Sequence, residues 1–271
     1  QKRPQAGRWG SPTDGCISAK LEGALENSHK QMQLFLIRHA QSTNNAIWEQ
    51  THFYEDRVPD PPLTKLGCRQ AEVLAHFLAT HGKPHATEGY DPQNISGFAI
   101  THLYCSLMER AVATGEFVSR SLGLPLVAWP EIHEGGGLFF QDTESGERTG
   151  VEGPGREYFE SHHPELALPQ SLGASGWWNR PYEELPGLLT RVRRVREALL
   201  QRHGDSAHRV ALITHVGFYH FFLSELLNVA ATEERTHWFH LNNTGISHIS
   251  FEEHRIRVNY LNRVDFLTPD L

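Results

Sequence analysis

The sequence predicts an α/β fold: a three-layer sandwich with a mostly parallel central sheet, helices on both faces, and an inserted lid. Short apolar runs of strand length alternate with long amphipathic segments, and strands joined through helices pair in parallel. The composition agrees with this fold class. The 271 residues are 39% hydrophobic and 21% charged, which is typical of a globular protein with a sizeable core.

Six segments are predicted as strands because they are short, apolar and bounded by polar or turn residues. The first is continuously apolar, which is typical of a strand buried on both faces. The last two alternate between apolar and polar residues and predict a late hairpin. The segments are Gln33–Ile37, Thr101–Cys105, Leu124–Trp129, Val210–Thr214, Ile246–Phe251 and Ile256–Leu261.

Four segments are predicted as helices from apolar positions at helical spacing, and Gly82 and Gly123 mark the ends of the first two. They are Thr64–His81, Glu109–Leu122, Glu183–His203 and Phe218–Asn228. The third has a basic face, which we interpret as solvated. A surface for DNA or anionic lipid is the alternative interpretation. The basic residues are Arg191, Arg193, Arg194 and Arg196.

Residues 32–271 are predicted to form one domain, and residues 135–186 to form its inserted cap or lid. That stretch is rich in glycine, proline and aromatic residues and has no buried-strand pattern, which favours an insertion over a plain connection. Residues 1–31 are predicted to be a flexible tail without the apolar stretch of a secretory signal. A short helix over Ile17–Leu25 is the one element that this tail could form.

Charge and composition exclude several function classes. The net charge of −7 argues against a general nucleic-acid binder. The sequence has no run of about 18 apolar residues, so no membrane span is predicted. The three cysteines are too few for a disulfide framework and favour a reducing, cytoplasmic location. The 18 histidines show no metal-ligand spacing, so neither a metal nor a cofactor is predicted. The oligomeric state is left open.

Arginine or histidine follows three of the predicted strands. Arg38 and His39 follow the first strand, Arg110 begins the helix after the second, and His215 directly follows Val210–Thr214. In a parallel sheet these ends meet at one edge, which is where ligands bind. An arginine at a helix start opposes the helix dipole, so Arg110 should have a negative partner.

Two arginines and two histidines near helix N-termini suit a phosphoryl dianion. A neutral histidine nitrogen can attack phosphorus and form a phosphohistidine, which water then hydrolyses. The remaining cations would neutralise charge on the phosphoryl oxygens, and a carboxylic acid would protonate the leaving alkoxide. This scheme needs no metal, and its partner is a small phosphorylated substrate.

The motifs around these residues resemble those of the histidine phosphatase superfamily, which includes the cofactor-dependent phosphoglycerate mutases. The opening Arg-His-Gly-x-(Ser/Thr) motif reads Arg38-His39-Ala40-Gln41-Ser42 here, with Asn45 in register. Residues 60–71 resemble the D-x-P-L-T-x-x-G-x-x-Q-A stretch. Ser106, Arg110, Ala111 and Thr114 match the S-x-x-x-R-A-x-x-T stretch. His215 and Gly217 match the His-x-Gly stretch.

The resemblance implies that His39 is the nucleophile. It also implies a phosphate pocket formed by Arg38, Arg110 and His215, with further phosphate-binding contacts from Ser42, Asn45 and Gly217.

The family's proton donor is an acid that commonly lies four residues before a glycine. Glu131 has this spacing to Gly135 and is slightly favoured. Glu134, directly before the glycines, is the rival, and either acid could instead be a solvated turn residue.

Ala40 departs from the family pattern, which has glycine after the nucleophile. If the backbone needed a positive φ there, alanine would cost about 1 kcal/mol or more. We therefore expect an altered but working phosphate loop.

The stretch Glu131–Gly135 lacks the Glu-Arg-His-Tyr-Gly sequence of the mutases, so a phosphatase is favoured over a mutase or a catalytically weak phospho-ligand binder. In the lid, Arg156 or Arg180 could contact a second anionic group of the substrate. Trp177 and Trp178 could cover an organic moiety, or simply fill the core beneath the lid.

Overall fold

The computed structural model describes residues 31–52, 57–80, 91–230, 237–252 and 255–271. Its strands are β1 (Gln33–Arg38), β2 (His102–Cys105), β3 (Leu126–Ala128), β4 (Phe139–Gln141), β5 (Arg148–Gly150), β6 (Leu166–Ala167), β7 (Arg209–Thr214), β8 (Ile246–Glu252) and β9 (Arg255–Arg263). Its helices are α1 (Thr43–Thr51), α2 (Lys65–Thr80), α3 (Glu109–Leu122), α4 (Arg156–His162), α5 (Leu185–His203) and α6 (Val216–Leu227), with a 3-10 turn at Pro130–Ile132. The predicted tail and its possible helix at Ile17–Leu25 fall almost wholly outside these ranges.

Seven strands form one mixed sheet in the order β6-β3-β2-β7-β1-β8-β9. Five of them, β1, β2, β3, β6 and β7, are parallel, and the β8-β9 hairpin adds two antiparallel strands beside β1. The predicted α/β fold with a mostly parallel sheet is confirmed.

Strand β1 shows how the sequence produces three layers. Its side chains alternate between the two faces of the sheet, and all four apolar ones are fully buried. Phe35 and Ile37 pack in the core beneath α2 and α3, whereas Leu34 and Leu36 pack beneath α5 and α6. A strand covered by helices on both sides needs a continuous apolar run, and this is what the sequence shows.

The helix α1 was not predicted, because its polar sequence has little apolar periodicity. Its start is specified by Ser42 instead. The Ser42 hydroxyl caps the backbone of Asn45, and the Asn45 side chain returns a bond to Ser42. This is a capping box with asparagine in the place of the usual Glu or Gln.

The segment 135–186 holds the separate β4-β5 hairpin, α4 and β6. Strand β6 pairs in parallel with β3 at the sheet edge, and Phe159 of α4 is buried in the core. No strand was predicted here because strands of two or three residues are too short to show a periodic pattern.

The basic face of α5 is solvated at Arg193, Arg194 and Arg196, as interpreted, but not at Arg191. Arg191 is buried and forms a bidentate ion pair with Glu183, at 2.6 and 2.8 Å. The other three arginines form ion pairs with the carboxylates of Glu131 or Glu225. These pairs partly neutralise the surface that the alternative interpretation offered to an anionic partner.

No described helix is long and apolar enough to cross a bilayer. Cys68 is exposed and Cys105 is buried, and both are free thiols.

A buried histidine ties α4 to the main domain. His163 lies 2.8 Å from Glu116 and 3.1 Å from Glu109, both on α3. Burial opposes protonation of this imidazole, but the two carboxylates outweigh it and raise the pKa of His163 to about 9. The group is therefore a charged anchor at neutral pH.

We expect this anchor to make stability depend on alkaline pH. Because the pKa is higher in the folded state, the stabilisation is complete below the unfolded value of about 6.5 and is lost as pH rises through about 9. The loss should be about 1–2 kcal/mol, since the partly exposed carboxylates are screened by solvent. Urea unfolding of the wild type and His163→Gln at pH 7 and 10 measures it. The exposed neighbour in His162→Gln is the control, and equal pH dependence in all three proteins would contradict the anchor.

Candidate active site

The predicted site residues meet at the carboxyl ends of β1, β2 and β7. Arg38 of β1 is in register with Thr214 of β7, and the next amide, that of His39, donates to the Thr214 carbonyl at 3.0 Å. Ser106 follows β2 and donates its amide to the carbonyl of Ile213 in β7. A cavity of about 960 Å³ opens at this edge and is lined by Arg38, His39, Arg110 and Glu134, among others.

His39 is held in one tautomer. Its Nδ1 lies 2.7 Å from the carbonyl oxygen of Ala40, which can only accept, so Nδ1 carries the proton and Nε2 the lone pair. Burial, followed by the charges of Arg110 and Arg38, holds the pKa of His39 well below its ordinary value. His39 is therefore neutral, with an unprotonated nitrogen facing Arg110.

The two arginines lie beside this histidine. Arg110 donates from Nε to Nε2 of His39 at 3.1 Å, and its Nη1 lies 3.6 Å from the carboxylate of Asp60. Asp60 is the negative partner that the position of Arg110 required. Arg38 donates from Nη1 to the carbonyl of Leu241 at 2.9 Å. Burial, only partly offset by Glu134, lowers the pKa of Arg38 to about 10, so both arginines stay charged at neutral pH.

His215 lies beneath the cavity, with its ring centroid 5.0 Å from that of His39. Its Nε2 is 2.6 Å from the Ser106 hydroxyl, which also accepts the amide of Met108. When the Ser106 hydroxyl donates its proton to Nε2, the ring proton of His215 is on Nδ1. Burial, followed by Arg110, holds the pKa of His215 well below its ordinary value, so this ring too is neutral.

Three buried donor atoms around His39 have no hydrogen-bond partner within the described part of the chain: Arg38 Nε, Arg110 Nη1 and His215 Nδ1. Each such group costs about 1–3 kcal/mol when buried and unpaired. Arg110 Nη1 has only the ion-pair contact with Asp60 at 3.6 Å, which is beyond hydrogen-bond distance. Two guanidinium groups and one imidazole thus present these nitrogens, and together they can bind an anion with several oxygens.

The structure separates the two candidate acids. Glu134 lines the cavity, and its carboxylate accepts the amides of Gly135, Gly217 and Phe218 at 2.8, 3.2 and 2.9 Å. Glu131 points away, is 39% exposed, and pairs with Arg194 of α5 at 3.1 Å. The slight sequence-based preference for Glu131 is therefore corrected, because of the two acids only Glu134 lines the cavity.

Gly217 contributes space rather than a side-chain contact. A β-carbon added there would lie 2.3 Å from the carboxylate of Glu134. The glycine lets Glu134 rest on the first amides of α6, where the helix dipole favours a negative group.

Side chains of α5 and β7 hold the loop that carries Glu134. Arg191 donates from Nη1 to the carbonyls of Glu131 and His133 at 2.6 and 3.0 Å, and the Thr214 hydroxyl donates to that of Ile132 at 2.7 Å. These bonds hold the loop against the end of β7, and sequence spacing does not reveal them.

Ser42 and Asn45 both line the cavity, as predicted. The Oδ1 of Asn45 faces the amide and hydroxyl of Ser42 and the side-chain amide of Asn243, at 3.0–3.2 Å. The Oδ1 atom of Asn45 is therefore used as an acceptor within the protein. Asn243, which the sequence analysis missed, also donates to the carbonyl of His39 at 2.9 Å.

Ala40 fits its position. It is fully buried, its amide donates to Thr114 at 3.0 Å, and it is not among the described residues with a positive φ. The strain considered for a non-glycine residue here does not arise.

The predicted lid contacts are not brought to the cavity. Arg156 donates to the carbonyls of Leu172 and Pro169 and pairs with Glu160, so it fixes the backbone of the segment 135–186. Arg180 lies over the ring of Trp178, 4.3 Å from its centroid.

Trp178 is fully buried with Met108 and Leu138, and Trp177 packs against them. The two tryptophans therefore fill a small core with Met108 and Leu138 rather than covering the cavity.

Other side chains line the cavity that the sequence analysis did not select. The β4-β5 hairpin brings Arg148, whose Nη1 donates to the Tyr182 hydroxyl at 2.8 Å. Arg57 adds a second peripheral cation, and Trp48 and Trp238 add aromatic surface. These residues are distant in sequence and belong to no motif, so only the fold assembles them.

A sequence profile of the histidine phosphatase superfamily (branch 1) matches residues 92–264, well over half of the chain. The chain belongs to the histidine phosphatase superfamily. The matched region includes Arg110, Glu134 and His215, and the Arg38-His39 motif lies before it. No curated protein matches the chain.

Several solved structures share the fold of this protein over most of the chain. A mycobacterial glucosyl-3-phosphoglycerate phosphatase, solved with vanadate, is 15% identical with a TM-score of 0.52, covering 86% of this chain and 99% of its own. A phosphoserine phosphatase from Entamoeba histolytica, solved with 3-phosphoglyceric acid, is 16% identical with a TM-score of 0.54, covering 88% and 100%. At these identities the likeness concerns the fold.

Proposed function

We propose that this histidine phosphatase superfamily member is a metal-independent phosphomonoester hydrolase that works through a phosphohistidine at His39. The observation that carries the proposal is the group of three buried side-chain nitrogens without a hydrogen-bond partner, Arg38 Nε, Arg110 Nη1 and His215 Nδ1, beside an unprotonated imidazole nitrogen. A phosphoryl dianion supplies acceptors for all three donors, and the neighbouring nitrogen is a nucleophile for its phosphorus.

In the first half-reaction, Arg110 turns its Nε from His39 to a phosphoryl oxygen and frees the lone pair. Nε2 of His39 then forms a bond to phosphorus as the bond to the leaving oxygen breaks. Arg38, Arg110 and His215 stabilise charge on the phosphoryl oxygens, and Glu134 donates a proton to the leaving alkoxide.

In the second half-reaction, water attacks the phosphohistidine and Glu134 takes its proton. The P–N bond breaks, which releases inorganic phosphate and returns His39 to its neutral form.

The substrate that we propose is a small phosphorylated metabolite with a second polar or anionic part. The cavity of about 960 Å³ exceeds the needs of a phosphate group, and Arg57 and Arg148 lie at its periphery. The names of the two structural relatives also refer to small phosphorylated compounds. The predicted cytoplasmic location stays a prediction.

Phosphate release in the presence of EDTA tests the proposal. The protein should hydrolyse para-nitrophenyl phosphate and members of a panel of sugar phosphates, phosphoglycerates, nucleotides and phosphoserine. Interconversion of phosphoglycerates without phosphate release would instead indicate a mutase. Binding of phosphorylated compounds with no turnover would indicate a phospho-ligand binder, and a strict requirement for added metal would contradict the mechanism.

A further inference from the structure

Three histidines meet at the edge of the sheet opposite the phosphate pocket. His102 is the first residue of β2, His203 is the last of α5, and His208 directly precedes β7. One imidazole nitrogen from each lies within 4.8 Å of the other two. The fold unites residues about 100 positions apart, so the search for local ligand spacing in the sequence could not reveal this cluster.

The separation of the nitrogens is close to that of a metal site. With Zn–N bonds of about 2.0–2.1 Å, the nitrogens of a tetrahedral site are about 3.4 Å apart. The Nδ1 atoms of His203 and His208 are 2.9 Å apart, and the ring of His102 lies 4.7 and 4.2 Å from theirs between centroids. Since all three nitrogens already lie within 4.8 Å of one another, small side-chain rotations would bring them onto one ion.

The rings of His203 and His102 each have a hydroxyl group hydrogen-bonded to their second nitrogen. The Tyr104 hydroxyl lies 3.1 Å from Nε2 of His203, on the side opposite the nitrogen that faces His208. The Thr101 hydroxyl lies 2.8 Å from Nδ1 of His102, which leaves Nε2 of that ring for a ligand. Metal-binding histidines usually have their second nitrogen hydrogen-bonded in this way, which fixes the tautomer and the ring orientation.

We propose that His102, His203 and His208 bind a divalent transition-metal ion, with Zn²⁺ as the best fit. Three neutral imidazoles suit zinc, copper and nickel and do not suit Mg²⁺ or Ca²⁺, which prefer oxygen ligands. His203 is buried, whereas His102 and His208 are half-buried, so water can reach the fourth coordination position. This site is independent of the proposed phosphatase chemistry, since strand β7 of six residues holds the two sites about 20 Å apart.

The ion would join three elements at once: the end of α5, the turn into β7, and the start of β2. Because α5 also supplies Arg191 to the loop of Glu134, the metal would fix the far end of the helix that supports the active site. A ligand that binds only the folded chain raises its melting temperature.

Isothermal titration of the metal-stripped full chain with Zn²⁺ tests the proposal, and Co²⁺ absorption reports the coordination. His102→Gln and His208→Gln each remove one half-buried ligand and keep the helix end intact. We expect one tight ion per chain, weakened more than tenfold in either variant, since even outer partners contribute about 10–100-fold in affinity. Tyr104→Phe should weaken binding about tenfold.

The controls are His76→Gln, an exposed histidine on α2, and His39→Ala, which removes an imidazole of the phosphate pocket. Both should keep the tight ion, the intense visible absorption of four-coordinate Co²⁺, and the zinc-dependent rise in melting temperature. Binding that is lost in His39→Ala, unchanged in His102→Gln and His208→Gln, or absent from the wild type would overturn the proposal.

Discussion

His39→Ala is expected to lower kcat for para-nitrophenyl phosphate by at least roughly 1,000-fold, the scale at which enzymes lose activity without their nucleophile. The alanine removes the only atom that we assign to bond formation with phosphorus. The cations remain, so phosphate should still bind. The assay is release of para-nitrophenol with EDTA present, together with the Kd of inorganic phosphate for both proteins.

His76→Ala is the matched control for this substitution, since it removes an exposed imidazole that lies on α2. It should retain the wild-type rate. Equal rates in the wild type and His39→Ala would contradict the assignment of the nucleophile and with it the whole mechanism.

Glu134→Gln is expected to lower kcat for an alkyl phosphate by about 10²–10⁴-fold, the usual contribution of a general acid. An alkoxide is a poor leaving group without a proton, whereas para-nitrophenolate leaves readily. The loss in the rate of phosphohistidine formation, measured as the burst of alcohol release, should therefore be much smaller with para-nitrophenyl phosphate.

Glu131→Gln is the paired variant, because it makes the same chemical change three residues away. It breaks an exposed ion pair with Arg194, which contributes at most about 1 kcal/mol to stability. Its rates should match the wild type with both substrates. A larger loss in Glu131→Gln than in Glu134→Gln would show that the acid is misassigned.

The sequence predicted the fold and the centre of the site because both depend on local patterns. The run over residues 33–37 specifies a strand buried on both faces, and Arg38 and His39 follow it directly. Parallel pairing then brings the residues after β2 and β7 to the same edge. Arg110 and His215 could be placed next to His39 on this basis alone.

The rest of the site depends on contacts that spacing does not encode. Glu131 and Glu134 lie in one short loop, and the choice between them is made by Arg191, Thr214 and the amides of α6. The side chain of Arg156 was expected to meet substrate and instead holds lid carbonyls.

The histidine cluster shows the same limit for residues far apart in the chain. Its members have no common motif and become neighbours only through the order of strands in the sheet. A search for local ligand spacing could not find them.

Rapid acid-free quenching followed by mass spectrometry of the peptide that contains His39 tests the central claim most directly. A phosphohistidine is labile in acid and stable in base, so the protein is mixed with substrate, denatured in alkali and digested at high pH. The account predicts one phosphoryl group on His39 in the wild type and none in His39→Ala. In Glu134→Gln with para-nitrophenyl phosphate, a larger fraction of the protein should carry the phosphoryl group, because water attack is slower without the carboxylate. Steady turnover with no phosphorylated His39, or with the phosphoryl group on another residue, would contradict it.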